Sequence, residues 1–197
     1  MTNPLTEIFK DKTIKLVSRS PRRKELLAVL GLPFTQVDFS VDEKIAEVPV
    51  SELAGKLARK KAESYQNTFL LHNNDFIITA DTIVVIDDKL LGKPYDKQEA
   101  KQFLRLLSGK KHQVITGVVL LTSEKTTVFQ EVTEVIFKEL DDGEIDYYVS
   151  EFQPFDKAGA YGIQEWIGAV AVEKITGSYY NVMGLPVHRL YQEMLAF

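Results

Sequence analysis

The chain has 197 residues, 45% of them hydrophobic and 26% charged, with a formal net charge of -4 and no cysteine. The length is ample for a hydrophobic core, and the slight acidic excess argues against a general nucleic-acid coat. The missing cysteines exclude disulfides, zinc–thiolate sites and cysteine nucleophiles. No apolar run reaches the length of a membrane span, and Met1–Lys12 is polar without a signal-peptide core. These features point to a soluble cytoplasmic protein without a membrane partner.

Residues 1–12 read as a loose N-terminal extension ahead of a single domain over 13–197. Ile14–Val17 reads as a first strand, followed by Ser18-Arg19-Ser20-Pro21-Arg22-Arg23 and a helix whose apolar face carries Leu26, Leu27 and Leu30. Ser20 suits the N-cap and Pro21 the first helical position. A helix start exposes unpaired N–H groups and a partial positive charge, which normally attracts acidic side chains. Arg22, Arg23 and Lys24 stand there instead, so the turn reads either as a solvated basic turn or as a site for an anion such as a phosphate chain. After Phe34–Val37, a second strand, comes a loop with Asp38, Asp42 and Glu43. It is either solvated or, through Asp42 or Glu43, a source of hard oxygen ligands for Mg²⁺ or Mn²⁺.

The spacing of Val50, Leu53, Ala54, Leu57, Ala58, Ala62 and Tyr65 predicts a helix over 50–66. Lys61 falls on its inner stripe, where it either snorkels to solvent or points an ammonium into a cleft. Phe76–Ala80 reads as a buried strand with Asp81 at its C-terminal end, and Thr82–Ile86 continues extended. A carboxylate flanked by apolar strand is costly unless paired or metal-bound, which makes Asp81 the leading catalytic candidate over a simple turn aspartate. Asp87-Asp88 predicts a hairpin turn before Lys89–Leu91, and Gly92-Lys93-Pro94 a shaped loop presenting Lys93. Asp96 caps a helix that Gly109 ends. Strands are expected over 112–122 and 126–138, with His112, Val114 and Thr116 on one face. A capped helix follows from Asp141 to Val149. The segment 156–164, bearing the pair Asp156 and Lys157, reads either as a loop whose glycines let a ligand approach the backbone or as an ordinary glycine-rich loop with a surface salt bridge. A last strand is expected over 169–175, then a loop over 177–186, and Pro186 opens the final helix. Together these make an α/β fold whose cations and carboxylates suit chemistry at phosphorus by positioning and electrostatics. The motifs of the P-loop and of the dinucleotide-binding glycine turn are both missing.

Six stretches taken together resemble the signature motifs of the Maf family. They are Ser18-x-Ser20-Pro21-Arg22-Arg23-x-x-Leu26-Leu27, Ala80-Asp81-Thr82, Gly92-Lys93-Pro94, the run from Leu107-Ser108-Gly109 through His112, Val114 and Thr116 to Gly117, Asp156–Gln164, and the run from Gly177 to Pro186. The resemblance implies a metal-dependent nucleoside triphosphate pyrophosphatase. It also implies an elongated, ITPase-like α/β fold, with a mixed sheet flanked by helices and two lobes around a central cleft, and often a homodimer. By motif, Ser18, Arg22, Arg23, Lys61 and Lys93 would hold phosphates. Glu43 and Asp81 would serve a Mg²⁺ or Mn²⁺ ion and the attacking water, with Asp81 as general base. Arg22, Thr82 and Gln164 match the subgroup acting on dTTP and UTP, so normal or modified pyrimidine nucleotides are the implied substrates. A glutamine amide can read the donor–acceptor edge of uracil or thymine. The chain departs from the family in placing Glu165-Trp166 after Gln164, where glycine is usual. The resemblance also carries an association with septum inhibition, so a nucleotide-binding regulator of cell division is the second reading. The third is a nucleotidyltransferase, from the basic turn and the Lys-Pro loop.

Overall fold

The computed structural model describes residues 3–41 and 48–197. The chain divides into two compact units: Met1–Asp81, Thr116–Glu131 and Gly184–Phe197 form the first, Thr82–Ile115 and Val132–Met183 the second. Among the described residues the strands join in one seven-stranded sheet of order β2-β1-β3-β5-β6-β7, with β4 paired on β3. These strands are β1 (Thr13–Val17), β2 (Thr35–Val37), β3 (Asp75–Ile86), β4 (Lys89–Leu91), β5 (Lys111–Leu121), β6 (Thr126–Phe137) and β7 (Val172–Thr176). Parallel pairs (β1 with β2 and with β3) and antiparallel pairs (β3 with β4, β6 with β7) make the sheet mixed, as the α/β reading expects.

In the first unit, β1 leads through α2 (Pro21–Ala28) to its parallel neighbour β2, the crossover connection that parallel strands require. Helix α3 (Val50–Thr68) then precedes β3. Ala58, Ala62 and Tyr65 of α3 share one buried cluster with Val17, Ile77, Val119 and Leu121. The Thr79 hydroxyl donates to the Ala58 carbonyl at 2.7 Å, which fixes β3 against α3. Gly117 on β5 permits this packing: a Cβ there would fall on the Ala54 carbonyl.

The segment expected to be a loose extension is packed. Asn3 caps α1 (Pro4–Ile8) by accepting from the Leu5 N–H, and Leu5 is fully buried. Phe9 meets Phe76 edge-on at 4.7 Å, and Phe76 meets Phe197 at 5.0 Å. The buried side chains of Leu5 and Phe9 are enough to dock this mostly polar stretch.

The second unit has its own core, in which Val84, Leu104, Leu107, Val135, Phe137, Ile145 and Tyr148 are buried together. Asp87 and Asp88 both take positive φ (48° and 61°), the conformation a tight hairpin turn demands, and join β3 to β4. Helix α4 (Lys97–Leu107) starts on Asp96, which accepts from the Glu99 N–H. Helix α5 (Asp142–Phe152) carries the full reciprocal capping box of Asp141 and Glu144.

Two expectations are corrected here. The stretch 169–175 is not all strand. Glu165 O accepts from the N–H groups of Gly168 and Ala169, which winds α6 (Trp166–Ala171) before β7 begins at Val172. The predicted loop after Gly177 contains α7 (Tyr179–Met183), which Ser178 caps by accepting from the Asn181 N–H at 3.2 Å. Helix α8 (Val187–Leu195) follows Pro186 as expected. Among the described residues no helix is long and apolar enough to cross a membrane.

Leu5→Ala is expected to cost about 2–5 kcal/mol, the range for emptying a buried leucine site. Urea denaturation measures it, and a loss below about 0.5 kcal/mol would show that α1 contributes no packing.

Candidate active site

The basic turn of the first unit is built from β1 outward. Ser18 is buried, and its N–H meets the carbonyls of Leu16 and Val37. Its Oγ accepts from the Ser20 N–H at 3.2 Å. Gln36 on β2 braces the turn, its side-chain amide donating to the carbonyls of Ser18 (2.8 Å) and Ser20 (3.2 Å). Ser20 then caps α2 by accepting from the Arg23 N–H, with Pro21 in the first turn and no acidic residue there. Arg22 and Arg23 are half-buried, and Arg23 Nε donates to the Gly184 carbonyl at 2.8 Å. The local charge imbalance read from the sequence is therefore a fixed feature. The end of α2 that favours anions carries arginine instead of carboxylate.

Lys61 settles its two readings by forming a hydrogen-bonded ion pair with Oδ1 of Asp81. The two side chains are 15% and 12% exposed, so both are largely withdrawn from water yet still reachable. Asp81 does not stand at the end of a strand, as expected, because β3 runs unbroken through it to Ile86. What ends nearby is the pairing: the register with β1 stops at Ile78, three residues before Asp81. At this depth an ion pair is held together chiefly because either partner alone would be an uncompensated charge.

The remaining candidates lie in the second unit. Thr82 is half-buried and, as the residue after Asp81 on β3, points to the other face of the strand. Lys93 is exposed, in a loop anchored by buried Pro94 and by the Gly92 carbonyl, which accepts from the Gly159 N–H at 3.0 Å. That bond ties two of the sequence motifs together, and Gly159 meets the turn's demand for positive φ at 69°. Lys157 is buried, where the sequence allowed an ordinary surface pair, and contacts Asp156 at 2.7 Å and Glu165 at 3.0 Å. Tyr148 on α5 donates to Glu165 Oε2 at 2.5 Å and accepts from the Gly162 N–H at 3.0 Å. Burial, and then the Glu165 acceptor, push the Tyr148 phenol well above the usual tyrosine range. Gln164 is exposed, and its amide nitrogen would lie 3.0 Å from a Cβ on Gly162.

Glu43 and Asp42, the other carboxylates named from the sequence, lie outside the described residues. Among the described residues no three acidic or imidazole side chains gather as a metal cluster. Asp81 is nonetheless the right donor for a hard cation, since Mg²⁺ is commonly held by one or two carboxylates together with substrate phosphates. His112 lies in the interior of the second unit. It is buried among Phe137 and Tyr161, with Nε2 2.8 Å from the Tyr161 hydroxyl. Burial pulls its pKa from the ordinary 6.5 down to about 4, against a smaller opposing pull from the Lys110 backbone. Its Nδ1 nevertheless makes no hydrogen bond of good geometry.

Sequence reasoning passed over Gln36 and Tyr148, which read as ordinary strand and helix residues. Their partners are backbone groups and a glutamate that no local pattern announces.

The first unit thus carries a basic turn at a helix start and a lysine–aspartate pair, and the second carries two interlocked glycine loops. Residues 13–197 match the Maf family, described as Maf-like protein, and the chain belongs to that family. It is 46% identical over 191 residues to a protein of Porphyromonas gingivalis, covering 96% of each chain. It is 51% identical over 188 residues to one of Phocaeicola vulgatus, covering 92% of this chain and 94% of that one. A Bacillus cytotoxicus protein is 48% identical over 187 residues, with 94% and 96% covered. All three are named dTTP/UTP pyrophosphatase.

His112 makes stability depend on pH. Below about 6.5 the unfolded histidine binds a proton that the folded one refuses until about pH 4, so stability falls on acidification through that window. The loss from this group is on the order of 3 kcal/mol by pH 4. Denaturation midpoints between pH 7 and pH 5 measure it: wild type should lose stability and His112→Gln should lose markedly less.

Proposed function

We propose that this chain hydrolyses nucleoside triphosphates, with dTTP and UTP or modified pyrimidine counterparts as substrates, to the monophosphate and pyrophosphate. The observation that carries the reading is the Lys61–Asp81 pair, set in the same unit as the arginine-bearing turn at the start of α2. The similarity to proteins named dTTP/UTP pyrophosphatase over more than nine-tenths of the chain supports the same activity. No comparison favours a regulator of cell division over an enzyme.

In this reading Asp81 is the general base. It takes a proton from the water whose oxygen attacks the α-phosphorus, and the bond from that phosphorus to the bridging oxygen breaks. Pyrophosphate leaves with the electron pair. Lys61 holds Oδ1 of the carboxylate and leaves Oδ2 to aim the water. Arg22, Arg23 and Ser18 hold phosphate oxygens on the first unit, and Lys93 serves the same purpose on the second. Arginine suits this task because its fork matches phosphate oxygens. Thr82 and Gln164 are assigned to the base. Asp81 with Glu43 would hold Mg²⁺ or Mn²⁺, whose charge would offset that of the phosphates. Residues 13–197, the span of the family match, act as one functional domain, and the cysteine-free sequence suits a reducing cytoplasm.

A panel of nucleoside triphosphates assayed for pyrophosphate should show release from dTTP and UTP. Orthophosphate as the only phosphorus product would overturn the proposal. Asp81→Asn should lower kcat by about 10²–10⁴ while nucleotide affinity by calorimetry stays within about threefold. Unchanged turnover would remove Asp81 from the mechanism.

A further inference from the structure

The chemistry above leaves a largely withdrawn polar chain of the second unit unused. Lys157, its side chain 9% exposed, stands between Asp156 Oδ1 at 2.7 Å and Glu165 Oε1 at 3.0 Å. The other oxygen of Glu165 accepts from the Tyr148 hydroxyl at 2.5 Å, and that hydroxyl accepts from the Gly162 N–H at 3.0 Å. The Glu165 N–H also donates to the Gly162 carbonyl at 2.9 Å. Gly162 is thus gripped on both sides, its N–H by Tyr148 and its carbonyl by Glu165. Gln164 lies on the short span between these anchors. A withdrawn carboxylate beside an ammonium is a poor device for stability but a good one for enforcing a single conformation.

We propose that Glu165 is a positioning residue for base selection: through Tyr148 and Lys157 it locks the Gly162–Glu165 turn, so that the Gln164 amide presents one orientation to the substrate. This rests on the pyrimidine reading of the function. The physical consequence is specific. Uracil offers an acceptor at O4 and a donor at N3–H, whereas cytosine offers a donor at N4 and an acceptor at N3. A glutamine amide carries both a donor and an acceptor, and turning it over exchanges them. A free amide therefore satisfies either base, and only a held one discriminates. Glu165 fixes the backbone from which the Gln164 side chain reaches the base.

The test compares wild type with Tyr148→Phe and Glu165→Gln, measuring kcat and KM for UTP and CTP by pyrophosphate release, with the melting temperature recorded alongside. Tyr148→Phe keeps the ring stacked on Phe152 at 5.1 Å and deletes only the hydroxyl. In both variants the UTP-over-CTP ratio of kcat/KM should fall about tenfold. That fall should come through KM for UTP, with kcat changed by less than about threefold. A ratio within about twofold of wild type in a variant that folds overturns the proposal, including when kcat falls equally for both nucleotides. If Glu165→Gln does not fold, Tyr148→Phe decides alone. A wild-type protein that releases no pyrophosphate from UTP overturns the functional reading, and this inference with it. Wild-type activity with an unmoved ratio overturns this inference only.

Discussion

The ion pair between Lys61 and Asp81 is the interaction on which the candidate site depends. Neither residue belongs where it stands by ordinary rules of burial, and each makes the other tolerable. The pairing requires α3 to lie at a fixed height on the sheet. Ala58 and Ala62 flank Lys61 on the buried stripe and are small enough to bring the helix backbone close. The Thr79 hydroxyl pins that backbone through the Ala58 carbonyl two residues before Asp81 in the strand. Gly117 removes the one side chain that would push the helix away. A packing interface of small residues thus sets the position of a charged pair.

The basic turn follows the same logic of a local cost offset elsewhere. Its serines and the Gln36 amide bond the backbone between β1 and α2. The guanidinium groups then stand at a helix end that already favours anions. In the proposed reaction a polyphosphate would supply the negative charge that the sequence withholds from the first turn. In the second unit two glycine loops are stitched together through Gly92 and Gly159, and the Gln164 span is anchored from a neighbouring helix.

Much of this was legible in the chain itself, for physical reasons that differ by element. The caps of α2, α4 and α5 are written in neighbouring residues, so Ser20, Asp96 and Asp141 announce their helices. The stripe of α3 announces which side of Lys61 is buried, but not whether its ammonium finds solvent or a carboxylate, because the partner lies twenty residues away. Asp81 drew attention through its apolar flanks, yet the unbroken course of β3 depends on pairing with other strands. Val170–Ile175 is rich in strand formers, and still its first residues wind into α6 because Glu165 O accepts their neighbours' N–H groups. Tyr148 is the clearest case of an illegible role. On α5 it is one more apolar-face residue until the fold delivers Glu165 and Gly162 to its hydroxyl. The family resemblance named the loop, and the departure at Glu165 became interpretable only with those distances.

In the proposed reaction water attacks the α-phosphorus of a nucleoside triphosphate. Hydrolysis of UTP or dTTP in ¹⁸O-water, with the products resolved by mass spectrometry or by the isotope shift in ³¹P resonance, tests it most directly. One labelled oxygen is expected in the nucleoside monophosphate and none in the pyrophosphate. Label in pyrophosphate or in orthophosphate would place the attack at another phosphorus and contradict it.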